Sequence, residues 1–447
     1  MKQTLIKNAR IVNEGKIFEG DLLIKGNYIA EINTSISVKS NDVIVIDAEN
    51  KLLIPGLIDD QVHFREPGLT HKATIASESR AAVAGGITSF IEMPNTIPQA
   101  TTQELVEDKF KIASKSSYAN YSFMIGGSNT NLEELLKTDP KKVAAIKLFL
   151  GSSTGNMLVD DVKVLEKIFK ECNMLIVTHC EDEVTIQKNL AVFKEKYGDD
   201  IPIKYHPIIR SEEACYLSSS KAIALAKKTG ARLHVYHVST AKEAQHLFRN
   251  RKPLRNKKIT SEVCVHHLWF DDSDYEKKGT LIKWNPAIKT KADKEGLLKA
   301  LLNDKIDILA TDHAPHTLEE KQQVYTKAPS GGPLVQHALQ AMLEMHKKGL
   351  ISIEKIIEKM CHNPAILFQI EKRGFIKEGY FADLVLVDTS SLHTVTKETI
   401  LYKCKWSPFE GTTFTNNITH TFVNGNLIYN QGVFNDINKG RRLTFNR

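Results

Sequence analysis

Residues 52–65 read LLIPGLIDDQVHFR, and this stretch decides the fold. An apolar run that passes directly into aspartate, glutamine, histidine and arginine is typical of a buried strand with a polar site at its carboxyl end. Seven similar apolar runs follow, at residues 87–93, 120–126, 143–150, 174–179, 231–238, 258–264 and 306–312. With residues 52–60 they make eight predicted strands.

Helix-like segments separate these runs, among them residues 77–86, which end in a Gly pair, and residues 218–230. Strands that alternate with helices in this way predict an α/β protein with a parallel sheet. Eight repeats predict that the sheet closes into a (β/α)8 barrel of the TIM type. An open doubly wound sheet is the alternative, but no GxGxxG motif follows the first strand to support it.

Both ends of the chain show a different pattern. Residues 4–50 and 381–434 contain short apolar runs with period-two alternation, and Asn424-Gly425 is typical of a hairpin turn. We therefore predict a small β-sandwich domain formed from both termini. The predicted bounds are residues 1–52 and 371–447 for the sandwich and 53–370 for the barrel.

The composition is that of a globular protein: 447 residues, 42% hydrophobic and 25% charged. Lys and Arg exceed Asp and Glu by seven, and this surplus is spread along the chain, which favours anionic small substrates over nucleic acid. Six cysteines without a CxxC pair predict free thiols in a reducing compartment. No apolar run approaches the roughly 18 residues of a membrane span, so a cytoplasmic protein without a membrane segment is expected.

Ionisable side chains lie in or just after five of the predicted strands. They are His63, Lys147, His179, His237 and Asp312. Because the carboxyl ends of barrel strands share one face, these side chains are expected to converge. Imidazole and carboxylate groups are ligands that Zn²⁺ accepts, and an open position on zinc lowers the pKa of a bound water towards about 7. The pattern predicts a metal site.

Taken singly, each of these residues has a structural explanation. A lone histidine at a strand end is more often a hydrogen-bonded structural group, and Asp312 could cap a helix. Lys147 could extend its amine to solvent along an apolar stem. His267 and His313 are interpreted as structural. The metal interpretation therefore depends on the joint pattern, with one candidate for each strand.

Lys147 needs a chemical change before it can bind metal, because an ammonium group repels a cation. Burial among apolar neighbours favours the neutral amine. A neutral amine can add CO₂ and become a carbamate, an anionic oxygen ligand able to bridge two ions. The sequence thus allows one or two zinc ions bridged by a carboxylated Lys147.

Several segments resemble a known group of enzymes. Residues 55–59 (PGLID), together with the strand-end residues, resemble the amidohydrolase superfamily. Four further segments are similar to the dihydroorotase family: 62–68 (VHFREPG), 92–96 (EMPNT), 262–268 (EVCVHHL) and 310–316 (ATDHAPH). The resemblance spans nearly the whole chain and includes residues 379–384 (GYFADL), where the β-sandwich of that family resumes.

This resemblance implies the reversible cyclisation of N-carbamoyl-L-aspartate to L-dihydroorotate, a step of pyrimidine synthesis. It implies a metal-activated hydroxide as nucleophile and Asp312 as general acid and base. Arg65, Asn95 and His316 match positions that hold the substrate carboxylate, and Arg offers a bidentate fork for such a group. Further matches to substrate-contacting positions are Asn285, Gly331 and Gly332. Residues 313–333 are a candidate for a loop that closes over the substrate.

Gln61 departs from the family pattern, which has His-x-His where this chain has Gln61-Val62-His63. A neutral amide is a poorer zinc ligand than imidazole. One alternative is therefore a non-catalytic relative that binds aspartate transcarbamoylase. Another is a hydantoinase or allantoinase, although Arg65 has no role with substrates that lack a side carboxylate. A homodimer is also possible.

Gln61 leads to a prediction about metal binding. We expect two unequal zinc sites, with the ion nearest Gln61 held more weakly, because the amide donates less charge than imidazole. Titration of zinc into metal-free protein, followed by calorimetry, measures both affinities. Two equally tight sites would contradict the prediction.

Overall fold

The computed structural model describes residues 3–39, 42–151, 157–249, 253–436 and 440–447. Along these residues the strands are, in chain order, β1 (Gln3–Asn13), β2 (Lys16–Lys25), β3 (Tyr28–Asn33), β4 (Val43–Asp47), β5 (Leu52–Pro55), β6 (Leu57–Val62), β7 (Ile87–Glu92), β8 (Asn120–Phe123), β9 (Ile125–Gly126), β10 (Ile146–Phe149), β11 (Ile176–His179), β12 (Leu233–Val235), β13 (Ile259–Cys264), β14 (Ile308–Ala310), β15 (Leu384–Asp388), β16 (His393–Thr394), β17 (Thr413–Phe414), β18 (Asn417–Val423), β19 (Asn426–Asn430) and β20 (Val433–Phe434).

The helices of the same residues are α1 (Ile75–Ala84), α2 (Gln103–Ser116), α3 (Leu132–Leu136), α4 (Val162–Glu171), α5 (Glu183–Tyr197), α6 (His206–Ile209), α7 (Glu212–Thr229), α8 (Ala241–His246), α9 (Val265–Trp269), α10 (Tyr275–Lys278), α11 (Lys291–Leu302), α12 (Leu318–Lys321), α13 (Ala338–Lys347), α14 (Ile353–Ile357) and α15 (Asn363–Phe368). None of them is both long and apolar enough to cross a membrane, as judged over the described ranges.

Parallel strands form the central barrel, and their order along the sheet follows the chain from β6 to β14. Val62 at the end of β6 pairs with His313 just after β14, and the His63 N–H donates to the His313 carbonyl at 2.7 Å. These contacts join the last strand to the first. The predicted (β/α)8 barrel is confirmed, with β8 and β9 together filling the third strand position.

The predicted first strand, residues 52–60, is two strands in the structure. β5 belongs to the sandwich, where it pairs with β1 and β15, and β6 begins the barrel. Gly56 marks the change of sheet. A Cβ atom at Gly56 would lie 2.1 Å from Thr88 Oγ1, so only glycine allows the chain to cross between the two sheets here.

Apolar side chains fill the barrel interior below the polar rim. This cluster includes Ile58, Ile91, Met124, Tyr236 and Ile308, and residues of α15 pack against the same group. A closed parallel barrel has no unpaired edge, and its interior is packed as tightly as any core. The rim at the carboxyl ends is therefore the part of the barrel that is open to a ligand.

The chain termini together build the sandwich, as expected. β15, β18, β19 and β20 from the C-terminal part join β1 to β5 in one nine-stranded sheet. A shared apolar core links both parts, with Ile11 and Leu22 packed in the same cluster as Leu386 and Phe422. Asn424-Gly425 forms the hairpin turn between β18 and β19, with φ values of 51° and 73° that suit a type I′ turn.

Residues 440–447 leave the sandwich and run along the barrel. Tyr121 of β8 accepts a backbone hydrogen bond from Leu443 at 2.9 Å and donates one to Arg441 at 3.0 Å. The Arg447 guanidinium donates to the Ala144 and Phe368 carbonyls at 2.7 Å each. Leu443 and Phe445 also pack in the same apolar cluster as Ile58 and Ile308, so the end of the chain contacts the core of the barrel. The domain bounds at residues 52/53 and 370/371 stay predictions.

Candidate active site

One pocket opens at the carboxyl ends of the barrel strands. Its lining residues are Gln61, His63, Arg65, Asn95, Lys147, Phe149, His179, His237, Trp284, Asn285, Asp312, Ala314, Ser330 and Gly331. The structure therefore brings together every residue that the sequence proposed as a metal ligand. Of the proposed substrate contacts, His316 and Gly332 lie behind this lining rather than in it.

Strand ends position the metal-ligand candidates. His179 is the last residue of β11, and Lys147 lies within β10. His63, His237 and Asp312 follow β6, β12 and β14 within two residues. Because each comes from a different strand, the barrel geometry fixes the distances between them.

Three pocket residues have a left-handed backbone that non-glycine residues seldom adopt: Arg65 (φ 67°), His237 (φ 39°) and Asp312 (φ 49°). Such conformations cost about 1–3 kcal/mol each and persist only where the surroundings impose them. At these positions they turn the side chain away from the line of the strand and into the pocket rim. This concentration of strain marks the rim as a functional site.

Facing pairs of ligand atoms make this pocket fit a metal ion. His179 Nδ1 and His237 Nε2 are 2.9 Å apart, and His63 Nε2 lies 3.3 Å from Asp312 Oδ1. Nitrogen and carboxylate donors at this spacing are the set that Zn²⁺ takes. Burial holds the pKa of His63 and of His237 well below the usual histidine range, which keeps both imidazoles in the neutral form that binds metal.

Lys147 is buried beside these ligands, with 1% of its surface exposed. Burial lowers the pKa of the Lys147 amine to about 8, although the nearby carboxylates of Glu262 and Asp312 oppose the shift. Its Nζ atom lies 4.1 Å from the centre of the Tyr236 ring. A minor fraction of the amine is then neutral near pH 7, and this is the form that carbamate chemistry requires.

Asp312 carries a carboxyl group suited to proton transfer. Burial raises the pKa of Asp312 to about 7, against the opposing effects of Lys147 and of neighbouring cationic groups. A group that transfers protons works best when its pKa is close to the operating pH. Asp312 can thus exchange a proton near neutral pH.

Gln61 also points into the pocket, where it is 1% exposed. Its Oε1 atom lies 3.7 Å from Cys264 Sγ, at a distance that allows the thiol to donate to the amide. The amide of Gln61 therefore lies in the same pocket as His63.

The proposed carboxylate-binding residues lie on one side of the pocket. Arg65 is 3% exposed and its Nε donates to the Pro315 carbonyl at 3.0 Å. Asn95 Oδ1 lies 2.8 Å from His63 Nδ1 and fixes the orientation of that ring. Asn285 Oδ1 is buried and has no hydrogen-bond partner within the described part of the chain, so it is available to a ligand.

Gly331 and Gly332 allow a close approach of backbone to this side of the pocket. Gly331 has φ 126°, and a Cβ atom there would lie 2.5 Å from the Ala314 carbonyl oxygen. A Cβ atom on Gly332 would lie 2.6 Å from the Trp284 ring. Larger residues at either position would displace the pocket wall.

Two buried lysines hold the loop 313–333 in place. Lys321 Nζ donates to the carbonyls of Lys283, Pro329 and Gly331 at 3.2, 2.9 and 2.7 Å. Lys283 Nζ in turn donates to the Tyr325 and Ala328 carbonyls, each at 2.6 Å. The loop thus forms a braced wall of the pocket, and its closure over a substrate stays a prediction.

His313 has the structural role that the sequence indicated. Its Nε2 atom lies 2.9 Å from Glu78 Oε2, and its Nδ1 atom accepts from the Leu334 N–H at 2.9 Å. Both ring nitrogens are therefore occupied outside the pocket.

Glu181 is a functional candidate that the sequence reasoning missed. This carboxylate is fully buried, lies 3.1 Å from His179 Nε2 and is paired with Arg210. Arg210 and His179 hold the pKa of Glu181 at about 2, despite burial. An ionised partner at Nε2 leaves Nδ1 of His179 free for metal. An acidic residue two positions after His179 was a signal in the sequence. Its pairing with Arg210 could not be deduced, because Arg210 is distant in sequence.

A second group that the sequence reasoning missed lies in the barrel interior next to Lys147. Asp60, His234 and Glu262 are fully buried, and His234 Nε2 is 3.4 Å from Glu262 Oε2 and 3.7 Å from Asp60 Oδ2. Among charged neighbours, Glu262 contributes most to keeping Lys147 protonated. Through Glu262, this group therefore raises the pKa of the proposed bridging lysine.

Known proteins are similar to this chain in both sequence and fold. Residues 52–428 match the amidohydrolase family. The chain is 37% identical over 433 residues to the dihydroorotase of Carboxydothermus hydrogenoformans, covering 95% of this chain and 97% of that protein. It is 33% identical over 439 residues to the dihydroorotase of Staphylococcus epidermidis, covering 96% and 99%. The structure of the L-hydantoinase (dihydropyrimidinase) from Arthrobacter aurescens has a TM-score of 0.91 at 28% identity, over 97% of this chain and 98% of that chain.

The barrel, the rim of ligand side chains and these matches define the class: the chain belongs to the amidohydrolase family, whose enzymes depend on metal. Within that family, its similarity to curated dihydroorotases extends over nearly the full length of both partners. The family resemblance deduced from the sequence segments is thereby confirmed.

Glu181 leads to a prediction about zinc affinity. Glu181→Gln should weaken zinc binding by about 10–100-fold, because it removes the negative charge that orients and polarises His179. Competition with a chromogenic chelator measures the affinity. The control is Glu183→Gln, two residues further on at the start of α5, which should bind zinc as the unchanged protein does. Equal affinities in both variants would contradict the role of Glu181.

Proposed function

We propose that the protein is a dihydroorotase, a metal-dependent cyclic amide hydrolase that interconverts N-carbamoyl-L-aspartate and L-dihydroorotate in pyrimidine synthesis. The observation that carries the proposal is the buried Arg65 guanidinium in the same pocket as the metal-ligand set. Both compounds carry a carboxylate beside the reacting amide. Arginine binds such a group in bidentate fashion, and the buried position strengthens the interaction.

Similarity to curated dihydroorotases supports this substrate over others. The hydantoinase-like alternative draws support from similar solved structures, which are those of an L-hydantoinase and a dihydropyrimidinase. Such ring substrates need no arginine for a side carboxylate. We therefore favour dihydroorotate, with the hydantoinase reaction as the second candidate.

In this proposal the cofactor is zinc, one or two ions, held by His63, Lys147, His179, His237 and Asp312, with a carboxylated Lys147 as the bridge. Bound there, zinc would lower the pKa of water and polarise the amide carbonyl. The donor atoms of the pocket support this assignment, since imidazole nitrogens and carboxylate oxygens face each other across it.

Residues of the chain bind the substrate and transfer the proton. Arg65 and Asn95 bind and orient the substrate carboxylate, with His316 behind Arg65. Asn285 and the Gly331 backbone complete the pocket around the ring, and Gly332 lies behind them. Asp312 accepts a proton from the attacking water and delivers it to the ring nitrogen that leaves. Because these residues hold the substrate in a fixed orientation beside Asp312, the proton transfer takes place between groups that are already in position.

Turnover of dihydroorotate by the purified, zinc-supplemented protein tests the proposal directly. Absorbance of the ring amide measures the rate, and hydantoin and dihydrouracil serve as comparison substrates. Preference for dihydroorotate supports the proposal. Preference for the ring substrates without a carboxylate would indicate the hydantoinase reaction, and no turnover of any of them would indicate a non-catalytic relative.

Asp312→Asn should abolish turnover, with a loss of at least about 100-fold in kcat, because the amide cannot carry the proton. Metal content should stay largely unchanged, since four other ligand candidates remain. Elemental analysis and initial rates check the two parts. Retained turnover would contradict the role of Asp312.

Lys147→Ala should remove the bridging anion and lower the metal content, and short carboxylates added to the buffer should restore part of the activity by occupying the vacated space. Elemental analysis before and after addition of acetate or propionate measures both effects. Full metal content in Lys147→Ala would contradict the carbamate bridge.

We also propose a cytoplasmic location, a homodimer and association with aspartate transcarbamoylase. The six cysteines are all free thiols, which suits a reducing compartment. Ile44 and Val45 on β4 are 49% and 57% exposed and offer apolar surface for a partner. Light scattering of the protein, alone and mixed with aspartate transcarbamoylase, measures both associations.

A further inference from the structure

Lys72 lies behind the proposed carboxylate-binding residues and has no role in the proposed reaction so far. It is 8% exposed, and its Nζ atom lies 3.0 Å from His316 Nδ1 and 3.0 Å from Glu320 Oε1. His316 itself is fully buried. A buried ammonium group between a carboxylate and an imidazole constrains the proton position on that imidazole.

The constraint follows from the donors and acceptors present. A lysine ammonium donates hydrogen bonds and accepts none, so His316 Nδ1 must accept from Lys72 and carry no proton. In the neutral ring the proton then lies on Nε2. The Ser330 carbonyl lies 3.0 Å from Nε2 and is an acceptor for this proton.

This tautomer makes two donors converge. Arg65 Nη2 lies 3.0 Å from His316 Nε2, and both atoms then carry protons. Two donors cannot satisfy each other, and His316 Nε2 already donates to the Ser330 carbonyl, so the Arg65 Nη2 protons are left for another acceptor, such as a substrate carboxylate. In the opposite tautomer Nε2 would bear a lone pair, would accept from Arg65 and would repel a carboxylate.

Glu320 holds Lys72 in place and charged. Its Oε1 atom pairs with Lys72, while its Oε2 atom accepts from the Thr317 N–H at 3.0 Å and so caps α12. The carboxylate is thus fixed by the start of the helix. Glu320, Lys72, His316 and Arg65 form one chain of contacts that leads from the helix cap to the pocket.

We infer that Lys72 is a positioning residue that fixes His316 with its proton on Nε2, so that His316 does not accept from Arg65 and the Arg65 guanidinium is left to bind the substrate carboxylate. The inference deepens the proposed function and rests on it for the identity of the carboxylate. The proton position on His316 is independent of that function. The two parts can therefore fail separately.

The kinetic test compares Lys72→Met with Lys72→Arg and with Lys111→Met. Lys72→Met should raise KM for dihydroorotate by about tenfold and change kcat by less than about threefold, because the lost interaction is made equally in the ground and transition states. Lys72→Arg keeps a donor and should recover part of the loss. Lys111 is an exposed lysine of α2, and Lys111→Met should leave both constants unchanged.

The spectroscopic test uses protein labelled with 15N-histidine, with the His316 signals assigned by their absence in His316→Gln. The unchanged protein should show Nδ1 unprotonated and Nε2 protonated, and Lys72→Met should lose this preference. A proton on Nδ1 in the unchanged protein would overturn the inference, as would an unchanged KM in a folded Lys72→Met.

The outcomes remain separable in two further cases. If Lys72→Met does not fold, as its thermal unfolding and zinc content would show, the proton position in the unchanged protein decides the inference. If the unchanged protein does not turn over dihydroorotate, the proposed function fails, and the same spectrum still supports or overturns the role of Lys72 on His316.

Discussion

The pocket depends on the closure of the barrel between its first and last strands. The hydrogen bond from the His63 N–H to the His313 carbonyl, with the Val62–His313 pairing, sets β6 beside β14. Residues at opposite ends of a 250-residue segment of sequence become neighbours through this contact, so that His63 lies 3.3 Å from Asp312. Without closure, the side of the pocket that holds His63 and Asp312 would have no fixed geometry.

Burial then gives the assembled groups their chemistry. The same exclusion of water lowers the pKa of Lys147 to about 8 and raises that of Asp312 to about 7, since each charged form loses solvation. The pKa values of an amine and of a carboxyl group are thereby both brought close to neutral pH. Glu262 opposes the shift of the Lys147 pKa, which places the interior group beside Lys147 among the determinants of its ionisation.

A layer of fixed partners behind the pocket holds its side chains in defined orientations. Glu181 faces His179, Asn95 faces His63, and Lys72 faces His316. Partners of this kind determine which ring nitrogen carries a proton, and thus whether a histidine binds metal or donates to a ligand. Lys321 and Lys283 brace the surrounding wall through backbone carbonyls, so this layer extends around the substrate side.

The sequence by itself determined the barrel, the sandwich from both termini and the identity of the residues on the rim. Hydrophobic periodicity and the residues at strand ends are local properties, so they can be deduced from short segments of the sequence. Only the tertiary structure decided that Gly56 divides residues 52–60 between two sheets, that His316 lies behind Arg65, and that Glu181 and Lys72 support the site. Those facts depend on contacts between segments far apart in the chain, where the partner of a side chain is set by packing and cannot be deduced from its own neighbours.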